Sequence, residues 1–419
     1  MNRTESQNMN LRFASILACL LLPAAISAQP SATFQIQSSP SPNAQGNALS
    51  AVTAFSPADI WAVGYQAENS SYNNGARTLI EHFDGSVWSV VPSPNPNPGR
   101  CSSAGFALTG VAASSSSDAW AVGTRNVNST CTSLINPLIV HWDGTSWKTA
   151  ASPTLSPNGN NELLGVMAFA TNNAYAVGYQ TGPRDATFTL VEHWDGSAWS
   201  VIKTPNANNT GNYLTSVSAT SPTDIWTVGD KVAPNVPIRT MTMHFDGSQW
   251  SLVPSPSPVQ NTTFDQNVLL AVSAVAPNDV TAVGYSLNSG ALTNLTLIEH
   301  WNGSAWQVVP SPNVSTAQGS GNVLTSIAAI SSSNIYAFGY YSDAATGGQP
   351  QTLVEHFDGN SWTILPSPTR KLATQLFGAA ALPTSNSIWS VGAFSPNGID
   401  QEFGFLQVPQ TFVMFSTNP

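Results

Sequence analysis

The sequence predicts an all-β fold, a seven-bladed β-propeller whose blades are four-stranded antiparallel sheets. A motif that ends in glycine, first seen as "ADIWAVGY" around Trp61, occurs seven times, and six of its copies are followed by a second motif like "TLIEHFDGSVW". Successive copies of the first motif lie 59, 55, 51, 55, 55 and 53 residues apart. Four-stranded units repeated at this length are typical of propellers.

Each unit contains four short strands, A to D. Strand A, "ALSAVTAF", is rich in small residues, which suits a crowded strand beside the central axis. Strand B is "IWAVGY" and strand C is "TLIEHF"; an Asp-Gly turn, a strong hairpin signal, then leads to strand D, "WSVVP". Prolines end strand D, where they protect the outer edge from pairing with other chains.

Ring closure has two candidate segments, because seven A–B hairpins are accompanied by only six C–D hairpins. The N-terminal "FQIQSSPSPN" (34–43) resembles "WSVVPSPNPN", and the C-terminal "FVMFSTNP" (412–419) also resembles strand D. We expect the N-terminal strand to complete the last blade, so that residues 29–419 form a single propeller domain.

The N-terminus has the pattern of a secretory signal peptide. Residues 13–26 form an apolar run that follows Arg3 and Arg12 and precedes small residues. We expect residues 1–28 to be removed after Ala28; a lipoprotein with Cys19 lipidated is the alternative. The run is too short to span a bilayer and no second one follows, so the protein is expected to be secreted or periplasmic.

Composition excludes some partners and suggests one disulfide. The net charge is −10, and −11 without residues 1–28, which argues against nucleic acid or anionic membrane as a partner. Charged residues make up only 8% of the chain, against about 25% in typical proteins. Cys101 and Cys131 lie in loops of the same face and are predicted to form a disulfide in an oxidising compartment.

The motif order resembles kelch repeats over nearly all of the mature chain, although Tyr65 follows Gly64 where kelch repeats have a second glycine. The "DGSxW" turn is similar to the Asp-box of sialidase-like propellers, with one residue fewer between Asp84 and Trp88. The resemblance implies a kelch-like secreted bacterial propeller. Kelch-like propellers include copper-radical galactose oxidases, but the histidine ligands that those enzymes need have no counterpart outside the repeat here.

The histidines are predicted to be structural. All six occupy the same place in strand C, whereas a catalytic residue is needed once, and no further histidine exists for nucleophilic or zinc chemistry. We therefore expect no catalytic residue, no metal and no cofactor. The six are His82, His141, His193, His244, His300 and His356.

Charges outside the repeat collect on one face. The D–A and B–C loops are long, differ between blades and share this face; loops also simply tolerate charges. The acids are Glu68, Glu162, Asp185, Asp230, Asp265, Asp343, Asp400 and Glu402. The bases are Arg77, Arg100, Arg125, Arg184, Arg239, Arg370, Lys231 and Lys371.

The residue after the strand-B glycine also faces this side and is the candidate binding position. Aromatic faces with scattered polar groups suit sugar or peptide ligands, although recurring tyrosines are equally explained by packing between blades. The candidate binding residues are Tyr65, Tyr179, Asp230, Tyr285 and Tyr340.

Two functions follow from these observations. The first is an exported, non-catalytic binding or scaffold propeller, a monomer that recognises a glycan or an extracellular protein through its long-loop face. The alternative is a hydrolase or lyase acting on polysaccharide, which would need two loop carboxyls about 5–10 Å apart.

Overall fold

Seven four-stranded antiparallel sheets account for the fold of the chain. The computed structural model describes residues 32–67, 75–96, 105–126, 134–153, 159–370, 372–399 and 406–417. Helix in these ranges is limited to two 3₁₀ turns, Pro183–Asp185 and Pro383–Ser385. The predicted signal peptide and the predicted Cys101–Cys131 disulfide lie outside the described residues.

The strands follow the predicted order A to D in each blade. A short strand, β1 (Gln35–Gln37), comes first. Blades one and two comprise β2 (Asn47–Ser56), β3 (Asp59–Ala67), β4 (Ala76–Phe83), β5 (Trp88–Val90), β6 (Phe106–Ser115), β7 (Asp118–Asn126), β8 (Ile135–Trp142) and β9 (Trp147–Ala150). Blades three and four comprise β10 (Asn161–Ala170), β11 (Asn173–Thr181), β12 (Thr187–Trp194), β13 (Trp199–Ile202), β14 (Gly211–Ser221), β15 (Asp224–Val232), β16 (Arg239–Phe245) and β17 (Trp250–Val253).

The remaining three blades complete the ring. Blade five comprises β18 (Gln266–Ala276), β19 (Asp279–Asn288), β20 (Thr293–Trp301) and β21 (Trp306–Val309). Blade six comprises β22 (Gly321–Ser331), β23 (Asn334–Ser342), β24 (Gln351–Phe357) and β25 (Trp362–Ile364). Blade seven comprises β26 (Ala373–Leu382), β27 (Ser387–Ser395) and β28 (Gln410–Ser416), with β1 as its fourth strand.

The first strands form the inner ring, since each contacts the first strands of its two neighbouring blades. Threonine hydroxyls tie these strands together across three of the boundaries. Thr109 Oγ1 donates to the carbonyl oxygen of Leu163 at 2.9 Å, and Thr215 and Thr325 make the same bond to the next blade. The small residues of strand A therefore lie where the blades approach most closely, as the sequence predicts.

A β-bulge in strand A explains the glycine of strand B. All seven first strands shift register after the same leucine, as between Leu49 and Ala51. A Cβ atom on Gly64 would lie 2.0 Å from the carbonyl oxygen of Ala48, and the six equivalent glycines face the same obstacle at 1.9–2.0 Å. Any side chain there would displace backbone, so the bulge requires the recurring glycine.

The aromatic residue of strand B packs against the C–D hairpin of the next blade. The ring centroid of Trp61 lies 4.8 Å from that of Trp142 and 5.2 Å from that of Trp147 in blade two. Such pairs add to the burial of apolar surface between blades. The equivalent contacts join Trp120 to Trp194 and Trp199, Trp226 to Trp301 and Trp306, and Trp389 to Phe83 and Trp88.

The exit from strand D is held to strand C by a hydroxyl pair that recurs around the ring. Thr78 Oγ1 lies 2.6 Å from Ser93 Oγ, and the serine of the Pro-Ser-Pro motif is therefore part of the blade rather than of a loose loop. In blade seven Thr411 makes this pair with Ser39 at 2.8 Å. The N-terminal segment thus reproduces the exit of a normal fourth strand.

Ring closure by the N-terminal strand is confirmed. β1 pairs antiparallel with β28 as the outer strand of blade seven, with Ile36 opposite Met414. The assignment of residues 412–419 to strand D is wrong, because β28 pairs with β27 and is the third strand. After β27, the described part of the chain contains one further strand, β28, so the third strand of blade seven is local and only the fourth is N-terminal.

Blade seven has phenylalanine in place of two recurring residues of the repeat, the strand-D tryptophan and the strand-C histidine. Phe34 takes the place of the strand-D tryptophan, and its ring centroid lies 6.1 Å from that of Tyr336 and 5.7 Å from that of Phe338 in blade six. Phe415 takes the place of the strand-C histidine and stacks on Trp389 at 4.8 Å. Blade seven is thus packed as the other blades are, although its sequence differs from theirs.

Four glutamates of strand C are completely buried at the blade boundaries. Ser152 Oγ of blade two donates to Glu192 Oε1 at 3.0 Å, and Ser311 Oγ of blade five donates to Glu355 Oε2 at 2.8 Å. Burial raises the pKa of Glu192 to about 7 and that of Glu355 to about 8. Within the described ranges, neither carboxyl oxygen of Glu81 or of Glu299 has a hydrogen-bond partner, and burial raises the pKa of each to about 8.

Candidate ligand-binding site

The position after the strand-B glycine lies in register with one position of strand A in every blade. Tyr179, for example, is opposite Glu162, and Asp230 is opposite Tyr213. Tyr65, Tyr179, Asp230, Tyr285 and Tyr340 are all half-buried at the loop end of their strands. The facing residues of strand A are Ala48, Ala107, Glu162, Tyr213, Val268, Val323 and Gln375.

Tyr179 belongs to a polar cluster at the boundary of blades three and four. Its hydroxyl donates to Glu162 Oε1 at 2.5 Å, and its ring meets that of Tyr213 edge-on at 5.0 Å between centroids. Burial raises the pKa of Glu162 despite this bond, and burial followed by the bond to Glu162 raises the pKa of Tyr179. Tyr179 therefore packs on the neighbouring blade while it orients a carboxyl.

A second cluster, the Asp230 group, comprises Asp230, Tyr285 and Tyr340 of blades four, five and six. Burial raises the pKa of Asp230 to about 7. The pKa of Tyr285 is raised to about 12, first by burial and then by the charges of Asp230 and Tyr340, so these three groups lie close enough to interact. The Tyr285 hydroxyl donates to Gln266 Oε1 at 3.0 Å.

Lys231 and Arg239 are close to Asp230 in the sequence, but they do not share its side of the blade. Lys231 is opposite Arg239 in the sheet, whereas Asp230 is opposite Thr240. Neighbouring residues of a strand point to opposite faces, so both bases lie on the other side of the blade from Asp230. Burial, followed by the charge of Arg239, lowers the pKa of Lys231, as expected for two cations side by side.

Tyr65 stands apart from both clusters. It packs at the boundary of blades seven and one against an apolar group that includes Ala48, Ala373, Ala393 and Leu406. The structure therefore divides the five predicted binding residues into Tyr65, Tyr179 with Glu162, and the Asp230 group.

Each histidine is fixed by neighbours of its own blade. Its Nε2 atom contacts the side chain that begins strand B, and five of the six rings lie 4.1–4.4 Å from the strand-B aromatic ring. Blade seven accepts Phe415 at the same place. The pairs are His82–Asp59 at 2.8 Å, His141–Asp118 at 2.6 Å, His193–Asn173 at 3.0 Å, His244–Asp224 at 2.6 Å, His300–Asp279 at 2.9 Å and His356–Asn334 at 2.9 Å.

His193→Gln is expected to lower the free energy of unfolding by about 1–3 kcal/mol and to leave ligand binding unchanged, because the ring contact with Tyr175 is lost far from the loop face. Thermal melting and a binding titration test this. His356→Gln is the matched control, since His356 also pairs with an asparagine. Loss of binding at an unchanged melting temperature would return the histidines to the candidate site.

Two of the loop acids hold the loops in place through hydrogen bonds. Asp265 accepts hydrogen bonds from the backbone N–H groups of Asn261, Thr262 and Ser289. Its burial alone would raise its pKa, but these bonds hold the pKa well below its usual range. Asp343 Oδ1 accepts from the backbone N–H of Thr346 at 2.9 Å. The acids that lie outside the described residues are Glu68, Asp400 and Glu402.

In the described ranges, no three histidine, cysteine, aspartate or glutamate side chains are grouped so as to hold a metal ion. No helix within those ranges is long and apolar enough to cross a membrane.

Sequence reasoning placed Glu162 on the loop face with the tyrosines but missed Tyr213 and Gln266. They lie in strand A, where the pattern Asn-x-Leu keeps its asparagine and leucine in most blades. The variable middle position is polar or aromatic only at Glu162, Tyr213 and Gln375, and this signals Tyr213. Gln266 lies before the pattern and is not marked by it.

No protein-family model matches the chain, and no curated protein matches it. Solved structures do share its fold. "YCF48 bound to D1 peptide" has a TM-score of 0.51 and 12% identity, covering 93% of this chain and 98% of that one. "Structure of U3-55K" has 0.53 and 11%, covering 91% and 98%. "Crystal structure of RRP9 WD40 repeats" has 0.52 and 11%, covering 91% and 97%. At such identities the likeness shows the seven-bladed propeller fold alone.

Proposed function

We propose that this protein is an exported, kelch-like, non-catalytic binding propeller whose ligand, a glycan or an extracellular protein, sits against the Asp230 group on the long-loop face. The observation that carries the proposal is the open hydrogen-bonding capacity of that group. Among the described residues, none donates a hydrogen bond to the Asp230 carboxyl and none accepts one from the Tyr340 hydroxyl. Half-buried polar groups of this kind are typical of binding sites in otherwise apolar clefts.

The repeat supports a binding role over a catalytic one. The histidines are fixed in equivalent places of six blades. Asp265 is bonded to its own loop and to the B–C loop of the same blade, and Asp343 is bonded within its own loop. Glu162 has one oxygen engaged by Tyr179. A propeller that serves as a scaffold needs only a rigid ring and individual loops. The structure titled "YCF48 bound to D1 peptide" is a propeller of similar size with a bound peptide.

Ligand binding is expected to depend on the Asp230 group. In a glycan and peptide array with residues 29–419, Tyr285→Ala should weaken binding about ten-fold or more, because aromatic contacts contribute a large share of such interfaces. Tyr65→Ala is the matched control, since Tyr65 holds the same repeat position but packs in a different apolar group.

The proposal fails if a ligand is found and both Tyr285→Ala and Asp230→Ala bind it unchanged at full stability. The hydrolase or lyase alternative is tested on the same preparation by the release of reducing ends or unsaturated products from polysaccharides. Turnover that is lost in Asp230→Ala would replace the binding role by a catalytic one.

A further inference from the structure

The Asp230 group lies beneath the loops of blades four to six. Asp230, Tyr285 and Tyr340 follow the glycines of three consecutive second strands, β15, β19 and β23. The B–C loop of blade four is joined to the next D–A loop, because the Ile238 N–H donates to the carbonyl oxygen of Asp265 at 3.0 Å. The loops above the group are therefore part of one hydrogen-bonded surface.

These loops carry exposed apolar side chains. Phe264 is 77% exposed and Leu292 is 66% exposed, and Val236 and Val314 on the adjacent loops are also exposed. The loops are nevertheless well held: Thr262 Oγ1 lies 2.6 Å from Ser289 Oγ, next to the hydrogen bonds of Asp265. Leu292 also has a φ of 50°, an unfavourable conformation for leucine. Large apolar side chains that are exposed together on adjacent loops are typical of docking surfaces.

The group contains a carboxyl, and the two bases closest to it in the sequence do not pair with it. The two bases nearest in sequence, Lys231 and Arg239, lie on the opposite side of the blade. The whole chain carries a net charge of −10. A positively charged partner would therefore be attracted at long range and would meet a carboxyl with open hydrogen-bonding capacity at short range. Tyrosine faces add to this preference, because their quadrupoles attract ammonium and guanidinium groups.

We propose that the long-loop face binds a protein segment through a lysine or arginine side chain, which contacts the Asp230 carboxyl and the rings of Tyr285 and Tyr340 while neighbouring apolar residues of the segment rest on Phe264 and Leu292. This inference rests on the proposed function and specifies its ligand. A neutral glycan would stack on the tyrosines and donate hydroxyl hydrogen bonds to the carboxyl, but it would gain no charge pairing there and little from the exposed Phe264 and Leu292.

The probe is a set of acetylated, amidated pentapeptides, Ala-Leu-X-Leu-Ala, in which X is lysine, arginine, norleucine or glutamate. Calorimetric or NMR titration into residues 29–419 is expected to give at least ten-fold tighter binding for lysine and arginine than for norleucine, which has a similar apolar stem without the charge. Higher salt should reduce the difference, because it screens exposed charges. Asp230→Asn should abolish it, and this variant removes a half-buried charge and so should not endanger folding.

Asp185→Asn is the matched control, because it removes the same charge from an exposed loop residue of blade three. Equal binding of the lysine and norleucine peptides, no binding of any peptide at millimolar concentration, or retained lysine preference in Asp230→Asn overturns the cation assignment. Binding of the neutral oligosaccharide cellohexaose that is weakened by Tyr285→Ala but not by Asp230→Asn would also overturn it. That last result would leave the proposed binding function in place.

Discussion

A chain that begins at Asn47 is expected to melt about 10 °C or more below one that begins at residue 29, and to self-associate. Such a chain lacks β1 and with it Phe34, which is buried against Tyr336 and Phe338 of blade six. Loss of a buried phenylalanine alone costs about 3–5 kcal/mol. A domain of about 400 residues loses roughly 1–1.5 °C for each kcal/mol, so the expected shift corresponds to about 7–10 kcal/mol for Phe34, the partly buried Ile36 and the hydrogen bonds of β1 together. The exposed edge of β28 would then pair with other chains.

The measurement is thermal melting together with light scattering, and the point variant Phe34→Ala separates the two effects. This variant keeps the backbone pairing of β1 with β28 but loses the aromatic contact, so it should melt at an intermediate temperature without aggregating. Addition of a synthetic peptide of residues 32–46 should restore much of the stability by strand addition. The role of β1 in closing the ring would be contradicted if the truncated chain melted at the same temperature as the longer one. It would also be contradicted if a peptide of scrambled sequence restored stability equally well.

The second large effect expected is a loss of stability as the pH rises, caused by the four buried glutamates. Their folded pKa values of about 7 to 8 lie above the ordinary value of 4.5, so the folded chain holds these protons more tightly than the unfolded chain. Their contribution is therefore complete below about pH 4.5 and is lost as the pH rises through about 8. At about 1.4 kcal/mol for each pKa unit, each carboxyl accounts for several kcal/mol.

Glu299→Met isolates one of these carboxyls, and the repeat itself supplies the replacement. Met243 of blade four and Met414 of blade seven occupy the equivalent place and are completely buried. The variant should match the parent near pH 5 and exceed it by several kcal/mol near pH 9 in denaturant titrations. We compare how the free energy of unfolding of the parent and of the variant changes with pH. The contributions of groups common to both chains then cancel, including those of His193 and His356, whose pKa values are lowered by burial. Parallel stability curves for the parent and the variant would contradict the assignment.

The sequence predicted the architecture well because each repeat marker has a steric cause. The strand-B glycine is required by the bulge of strand A, and the strand-B aromatic residue fills the boundary with the next blade. Blade seven shows the limit of this reasoning. Its third strand has Met414 and Phe415 where other blades have glutamate and histidine, so β28 lacks the polar markers that identify strand C. Apolar residues fill the same space, so β28 keeps the structure of a strand C although it lacks the strand-C sequence motif.

The candidate site was less predictable, because its features depend on neighbouring blades. The position of Asp230 in the repeat was clear, but the side of the blade that it shares with Tyr285 follows only from the strand register. The buried glutamates offer a similar lesson. Val140 and Met243 at the same position argue against a catalytic acid, and they equally indicate the apolar surroundings that raise the pKa of Glu81 and Glu299.

The pairing of β1 with β28 also fixes the order in which this chain can finish folding. The hydrogen bond from Ser39 to Thr411 joins residues 372 positions apart, so the first strand to be synthesised waits for the last. Contacts of such long range carry a high entropic cost of loop closure and slow the final step. Blades one to six can form from neighbouring segments as the chain emerges, whereas the edges at the two ends of the row stay exposed until synthesis is complete. Because β1 and β28 lie side by side in one blade, the same ring is compatible with a chain order that starts at another blade.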